Sequence, residues 1–296
     1  MSSTHLKPII DRPSSESLRQ DVENLGANTD HLILERGSFQ LFLFRKEQAP
    51  TLFLELCRQR EITFRLAGQG TGNSFDETPE DSWYDQLLLW DTAKEQVAGA
   101  YRLGQAEKVL KEEGFSGLYL THMFDFDESF FSDKKISLEL TRSFVGANYQ
   151  NDRLALPLLW QGLGLAAGLL GAQRLFGAVT LSSDFTEESR SLMVSWLTRH
   201  RTNQPAALAK ALNKFPDESA TGWVASQNID ELKPQIVDLD GQLKPIPPLL
   251  RHYLKLGASF HAFHVEPTFN NAVYCLLEVE LSQMPSSHRQ RFLIRS

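Results

Sequence analysis

Cysteine is almost absent from this 296-residue sequence, with Cys57 and Cys275 the only two. Two thiols so far apart make neither a disulfide framework nor a zinc site, so both are expected reduced. An excess of basic residues is missing too. Lys and Arg number 30 against 37 Asp and Glu, for a net charge of -7. No Lys/Arg cluster is interleaved with aromatics, and nucleic acid is excluded as the expected partner. The first 37 residues lack the apolar run of a secretory signal, which points to a cytoplasmic protein. Low-complexity tracts, heptads and internal repeats are absent as well. With 42% hydrophobic and 23% charged residues the composition is that of a globular chain with one principal core.

One apolar stretch stands out, LALPLLWQGLGLAAGLLGA from Leu154 to Ala172, at the lower edge of membrane-spanning length. Its four glycines, with Pro157 and Gln161, lower its hydrophobicity, and ordinary strands flank it. A buried helix packed on a sheet is the expectation. Before it, Ser38–Arg45 alternates as a strand, Pro50–Leu66 has helical spacing, and Trp83–Trp90 and Gln96–Leu103 read as strands joined by DTAKE. ISLELTRSFV is a further strand after a lightly organised segment from Gly104 to Asp133. After the apolar helix come strand RLFGAVTLS, a helix capped by Asp184 or Thr186, a helix started by Pro247 and Pro248 and ended by Gly257, and strands SFHAFHV and VYCLLEVEL. The fold class is therefore α/β or α+β: a mixed, mostly antiparallel sheet flanked by helices. Residues 1–37 read as a polar N-terminal extension, 38–296 as the main domain, and about 201–246 as a polar, proline-punctuated excursion within it.

The blocks REITFRLAGQGTG, WYDQLLLWD with VAGAYRLG, LELTRSFVGANYQ, LPLLWQGLG, LFGAVTLSSDF and PPLLRHYLKLGA occur in this order over most of residues 58–281. Together they resemble the GNAT-like acyltransferases that carry a hemolysin label, close to the ornithine and glycine N-acyltransferases of aminolipid synthesis. The acyl-homoserine-lactone synthases are more distantly similar. The resemblance implies a GNAT-like fold and transfer of a long acyl chain from acyl carrier protein to the amine of an amino acid. It implies no bound cofactor, and acyl carrier protein as partner. It places Glu139, Asp85, Arg142 and Arg102 around the reacting centre, and Arg60, Phe64, Arg65, Gly70, Phe144 and Val145 along the substrate site. Enzymes of this fold that use acetyl-CoA carry a Q/R-x-x-G-x-G/A loop at a helix start. The matching segment here, ANYQNDRLALP, lacks it. Acyl carrier protein is thus the expected donor and coenzyme A the alternative. Peripheral contact with the inner membrane face is compatible with a lipid product. A toxin, as the hemolysin label suggests, finds no support in a signal or a spanning amphipathic pattern.

Each constellation also has a plain structural reading. GQGTG follows a helix and lacks a Lys-Ser/Thr ending, so it is no phosphate loop. It is either a loop over the site or a helix C-terminal turn using glycine for positive φ. Glu139 and Arg142 sit among apolar neighbours on a strand, where ionisable groups need partners. Three apart, they fall on opposite strand faces unless a β-bulge intervenes, and a bulge would also free backbone N–H groups for a thioester oxygen. A cross-strand ion pair is the structural reading of Asp85 and Arg102, and function is the favoured one, because the four charges recur on consecutive sheet strands. His261 and His264 point to opposite faces with no ligand partners at metal spacing, so no metal is expected. Cys57 has no activating base in view and no G-x-S-x-G elbow exists, which disfavours a covalent acyl-enzyme. Glu139 is the expected base, with Asp85 orienting the amine and an arginine holding the acceptor's carboxylate. The small residues between Gly162 and Gly171 suit either a pantetheine arm or helix–sheet packing. Arg251 and Lys255, with His252 on one side of a short helix, form the expected carrier-docking patch. A solvated face or a lipid contact are its other readings.

Overall fold

The computed structural model describes residues 6–201, 208–216, 228–242 and 244–293. In chain order the elements are α1 (Ser15–Gly26), β1 (Leu32–Arg36), β2 (Phe39–Phe44), α2 (Pro50–Leu66), β3 (Asp85–Asp91), β4 (Gln96–Gln105), α3 (Ala106–Glu112), β5 (Phe124–Phe126), β6 (Ser137–Val145), α4 (Ala155–Leu169), β7 (Arg174–Leu181), α5 (Glu187–Arg201), β8 (Ala209–Ala211), α6 (Lys233–Asp240), α7 (Pro248–Lys255), β9 (Ser259–Glu266), β10 (Ala272–Glu280) and α8 (Ser286–Leu293). Parts of the expected polar excursion, 202–207, 217–227 and 243, lie outside the described residues. Two compact units divide the chain: 1–118, 138–172 and 290–296 in the first, 119–137 and 173–289 in the second.

In the first unit β1, β2, β3, β4 and β6 pair antiparallel in that order. Period-2 alternation sends Phe42, Phe44, Leu88, Trp90, Ala100 and Phe144 to one face, where α2 contributes Leu52, Leu56 and Cys57. Each fully buried side chain of this size stabilises by about 1.5–3 kcal/mol. Residues 15–36, expected as part of a polar extension, instead supply α1 and β1. The mean composition hides Leu18, Val22 and Leu25, whose i, i+4, i+7 spacing packs α1 into the same core. Asp21 of α1 also accepts from the backbone N–H of Leu52 at 2.9 Å, near the start of α2, whose own Ala49 offers no side-chain cap.

Helix α4 covers the other face, packing on β1 to β4. Two of its glycines serve packing: a Cβ on Gly162 would sit 2.1 Å from Leu41, and one on Gly164 would sit 1.6 Å from the backbone oxygen of Phe292. No helix among the described residues is long and apolar enough to cross a membrane. In the second unit β10 pairs antiparallel with both β7 and β9, and β5 pairs with β8. The sheets are antiparallel throughout these pairings and carry helices, as the sequence pattern predicts.

Two α4 glycines should respond oppositely to substitution. Gly164→Val must displace the Phe292 backbone and should cost about 1–3 kcal/mol, lowering the urea midpoint at unchanged slope. Gly168→Ala, with nothing within 4 Å, should be neutral or gain up to about 1 kcal/mol. Equal midpoints for the two variants would refute this packing.

Candidate active site

The site begins with a slip in strand register. Arg102 of β4 faces Thr141 of β6, whereas Ala100 faces Phe144, so two steps on β4 span three on β6. Arg142 sits in the slip with φ +50, the left-handed region that non-glycine residues rarely adopt. Such a backbone costs on the order of 1–3 kcal/mol and persists where the surroundings over-determine it. Here the Arg142 guanidinium reaches Asp76 at 3.5 Å and lies over the Phe64 ring at 5.9 Å. The bulge expected between Glu139 and Arg142 is present, and it brings Glu139, Thr141, Arg142 and Arg102 to the face that α2 covers.

Burying these charges requires counter-charges, which the segment between α2 and β3 supplies. Arg60 of α2, 1% exposed, meets Asp76 at 3.2 Å and Asp81 at 3.0 Å and also donates to the Asp76 carbonyl. Arg102, fully buried, meets Asp81 at 3.3 Å and Glu80 at 3.8 Å, and donates to Thr78 at 2.6 Å and Thr141 at 2.9 Å. Asp81 takes a further bond from the Thr78 N–H at 2.9 Å and one from Gln86 at 3.2 Å. Desolvation pushes the Asp81 carboxyl up, but Arg60 and Arg102 outweigh it and hold it at about 2. Burial likewise opposes the charge on Arg60, and Asp76 and Asp81 overcome it.

Glu139 is completely buried and accepts from the Tyr84 hydroxyl. The ring of Tyr84 reaches it by lying across Gly104, the β4 residue opposite Glu139. A Cβ there would sit 2.5 Å from the ring, so only glycine leaves the path open. Arg102 stacks over the same ring at 5.3 Å. The result is a carboxylate and a phenol in contact, next to a bulge, inside a compensated charge cluster.

The other expected residues fall into three places. Asp85 does not join the cluster: it faces Leu103 in register while Gln86 faces Arg102, so alternation puts it on the opposite side of the sheet. There it accepts from Gln105 at 3.1 Å and lies 3.8 Å from Arg45, with desolvation raising its pKa. Arg65 and Gly70 belong to the end of α2. Gly68 turns the chain at φ +69, Arg65 meets Glu61 at 2.7 Å, and Glu61 accepts from Thr71 and Gly72 N–H at 2.9 Å each. Those donors hold the Glu61 pKa down against the desolvation that raises it. Gly70 is glycine because a Cβ would meet the Arg65 side chain at 2.4 Å. GQGTG is thus a helix C-terminal turn, with the N–H groups of Gly68, Gln69, Thr71 and Gly72 bonded back to α2. Phe144 packs edge-on against Phe64 at 6.1 Å, and Val145 faces Gly99 across the ladder. Arg251 and Lys255 lie on α7 in the second unit, with Leu250, Tyr253 and Leu254 buried beneath as expected. Arg251 is 3.4 Å from Asp230.

Sequence reasoning missed Asp76, Thr78, Glu80, Asp81 and Tyr84. The signal was available: FDETPEDSWYD packs acidic residues just before a strand, in a chain whose neighbouring elements carry Arg60, Arg102 and Arg142 among apolar residues. Among the described residues no group of three or more His, Cys, Asp or Glu could hold a metal ion.

Comparison with known proteins defines the class. The model of the Acetyltransferase (GNAT) domain matches residues 59–161, which contain every member of this cluster. The glycine N(alpha)-acyltransferase of Bacteroides thetaiotaomicron is 30% identical over 247 residues, covering 77% of this chain and 72% of that protein. The corresponding enzyme of Phocaeicola vulgatus is 28% identical over 243 residues, 76% of this chain and 74% of its own. The L-ornithine N(alpha)-acyltransferase of Rhizobium meliloti is 26% identical over 263 residues, 87% of this chain and 80% of its own. The protein is an acyltransferase with a GNAT domain. It belongs to the family that these N(alpha)-acyltransferases represent.

The charge cluster makes a stability prediction. Asp81→Asn leaves Arg60 and Arg102 under-compensated and should destabilise by about 3–5 kcal/mol at pH 7. Because the folded pKa of about 2 lies below the unfolded value near 3.9, the carboxylate's contribution is present above that value and is lost as pH falls towards 2. Urea denaturation at pH 7 and near pH 3 should show the gap between wild type and variant narrowing in acid. A gap that stays constant would contradict this role.

Proposed function

We propose that the protein transfers a long-chain acyl group from acyl carrier protein to the amine of an amino acid, the first step towards a membrane aminolipid. The relatives named for glycine and L-ornithine N(alpha)-acylation support the acceptor class. The observation that carries the donor is the start of α4. A helix N-terminus ordinarily offers its unpaired N–H groups to an anion such as a diphosphate. Here Asp152 is already there, accepting from Leu154 N–H at 2.7 Å and Ala155 N–H at 3.1 Å. A fixed carboxylate repels the diphosphate of coenzyme A, whereas a carrier protein's pantetheine arm has no diphosphate to place. Coenzyme A as donor is the second reading, and the GNAT domain match keeps it under test.

In the proposed reaction the amine nitrogen attacks the thioester carbon, the C–S bond breaks and the carrier thiol leaves. An amino-acid ammonium must lose a proton on the way. Glu139 is the proposed acceptor of that proton through water, with Tyr84 fixing its orientation. The bulge at Arg142 is the proposed source of backbone N–H groups for the developing oxyanion. Direct transfer is consistent with both thiols, since Cys57 and Cys275 are buried and desolvation raises their pKa far from the thiolate range. The charges of Arg102 and Arg142 are met by internal carboxylates, which favours a structural and orienting part for them. Carrier docking is proposed on α7, where Lys255 is exposed and Asp230 partly offsets Arg251.

Mass spectrometry of products from acyl carrier protein and coenzyme A thioesters, each with a panel of amino acids, tests the reading. The wild type should form N-acyl amino acids chiefly from the carrier thioester, and Asp152→Asn should raise relative turnover with the coenzyme A thioester. Equal use of both donors by the wild type would favour the second reading. No acylation of any amino acid would overturn the first.

A further inference from the structure

A cavity of about 450 Å³ opens beside the acidic segment of the first unit, lined by Lys7, Asn73, Ser74, Glu77, Thr78 and Ser82 among others. That size suits a small molecule. Its wall is built rather than incidental: the Lys7 N–H donates to the Gly72 carbonyl at 2.9 Å and the Ile10 N–H to the Ser74 carbonyl at 3.1 Å. Arg65 clamps both strands of this wall, donating to the Lys7 carbonyl at 2.9 Å and the Asn73 carbonyl at 2.6 Å. The charged groups at the cavity are of both signs. Lys7 donates to Asn73 at 3.1 Å, and Lys46, outside the lining but in contact with it, bridges Glu77 at 3.2 Å and Ser82 at 2.9 Å. These are partly exposed pairs, worth little to the fold, so a ligand can exchange them at small cost.

The cavity is also next to the chemistry. Thr78 lines it and takes the 2.6 Å bond from Arg102, which in turn holds Thr141 on β6 and stacks on Tyr84, the donor to Glu139. A molecule resting on Thr78 therefore stands one side chain away from the buried face.

Resting on the N-acyl transfer reading, we propose that this cavity is the acceptor site and takes a zwitterionic α-amino acid. Its carboxylate binds the ammonium groups of Lys7 and Lys46, and its ammonium binds Glu77, with the Ser82 and Thr78 hydroxyls completing the shell. Inserting a zwitterion into the Lys46–Glu77 pair replaces one ion pair by two, so charge is conserved and a simple amine or a simple carboxylate satisfies only half the site.

The test uses the full chain, with glycine and L-ornithine as probes, and methylamine and acetate as half-ligands. Glu77→Gln and Lys46→Met should each raise the acceptor KM by about tenfold or more, the value of one charge-assisted bond, and leave the donor KM unchanged. Titration calorimetry without donor should show the same weakening and much poorer binding of both half-ligands. Glu77→Asp should restore part of the affinity, and thermal melting should confirm that the variants fold. Unchanged acceptor KM in both variants would overturn the site assignment, as would a rise confined to the donor KM, which would mark the cavity as the seat of the pantetheine arm. A wild type that acylates no amino acid would overturn the transfer reading itself, and the inference with it, which separates the two failures.

Discussion

The guanidinium groups of Arg60 and Arg102 are buried on one face of the first unit's sheet, with that of Arg142 partly buried beside them, and the structure around them answers that constraint. An uncompensated buried charge costs several kcal/mol, so each must meet a carboxylate with good geometry. The segment from Asp76 to Asp81 meets that need at three positions. The segment is in turn tied down by the guanidiniums, through the Asp76 backbone carbonyl and the Thr78 side-chain hydroxyl. Helix, loop and two strands are therefore held by one network. The left-handed backbone of Arg142 is tolerated because that network fixes its side chain.

Within this frame Glu139 occupies an unusual position. It lies fully buried beside the arginine–carboxylate cluster, and the Tyr84 hydroxyl donates to it. Asp81, by contrast, is held firmly ionised by its two arginines. Asp76 and Asp81 neutralise the arginines, and Glu139 is the carboxylate proposed for the chemistry. Gly104 carries the geometric part of that arrangement, because any side chain there would close the path of Tyr84.

Much of this was legible in the sequence, and what was not has a physical cause. Helix α2 matches its expected bounds because Pro50 starts it and its apolar spacing is local. The bulge followed from a conflict within one strand, Glu139 and Arg142 three apart with both in need of partners. Arg60, Arg102, Arg142 and Glu139 do meet in one cluster. Asp85 lies outside that cluster because strand face depends on register against a neighbour: a single position puts Gln86, not Asp85, beside Arg102. The carboxylates of the 76–81 segment escaped notice because their partners are non-local and a loop has no periodicity to betray them. Helix α1 was hidden by a polar average that conceals a narrow apolar stripe.

The central claim is that Glu139, held by Tyr84 inside the balanced cluster, takes the proton of the attacking amine. Its most direct test is the rate of amide formation by Glu139→Gln across pH, with folding verified by thermal melting. The account predicts a well-folded variant slowed by ~100- to 10,000-fold, the usual effect of removing a general base. Turnover like the wild type's at every pH would contradict it.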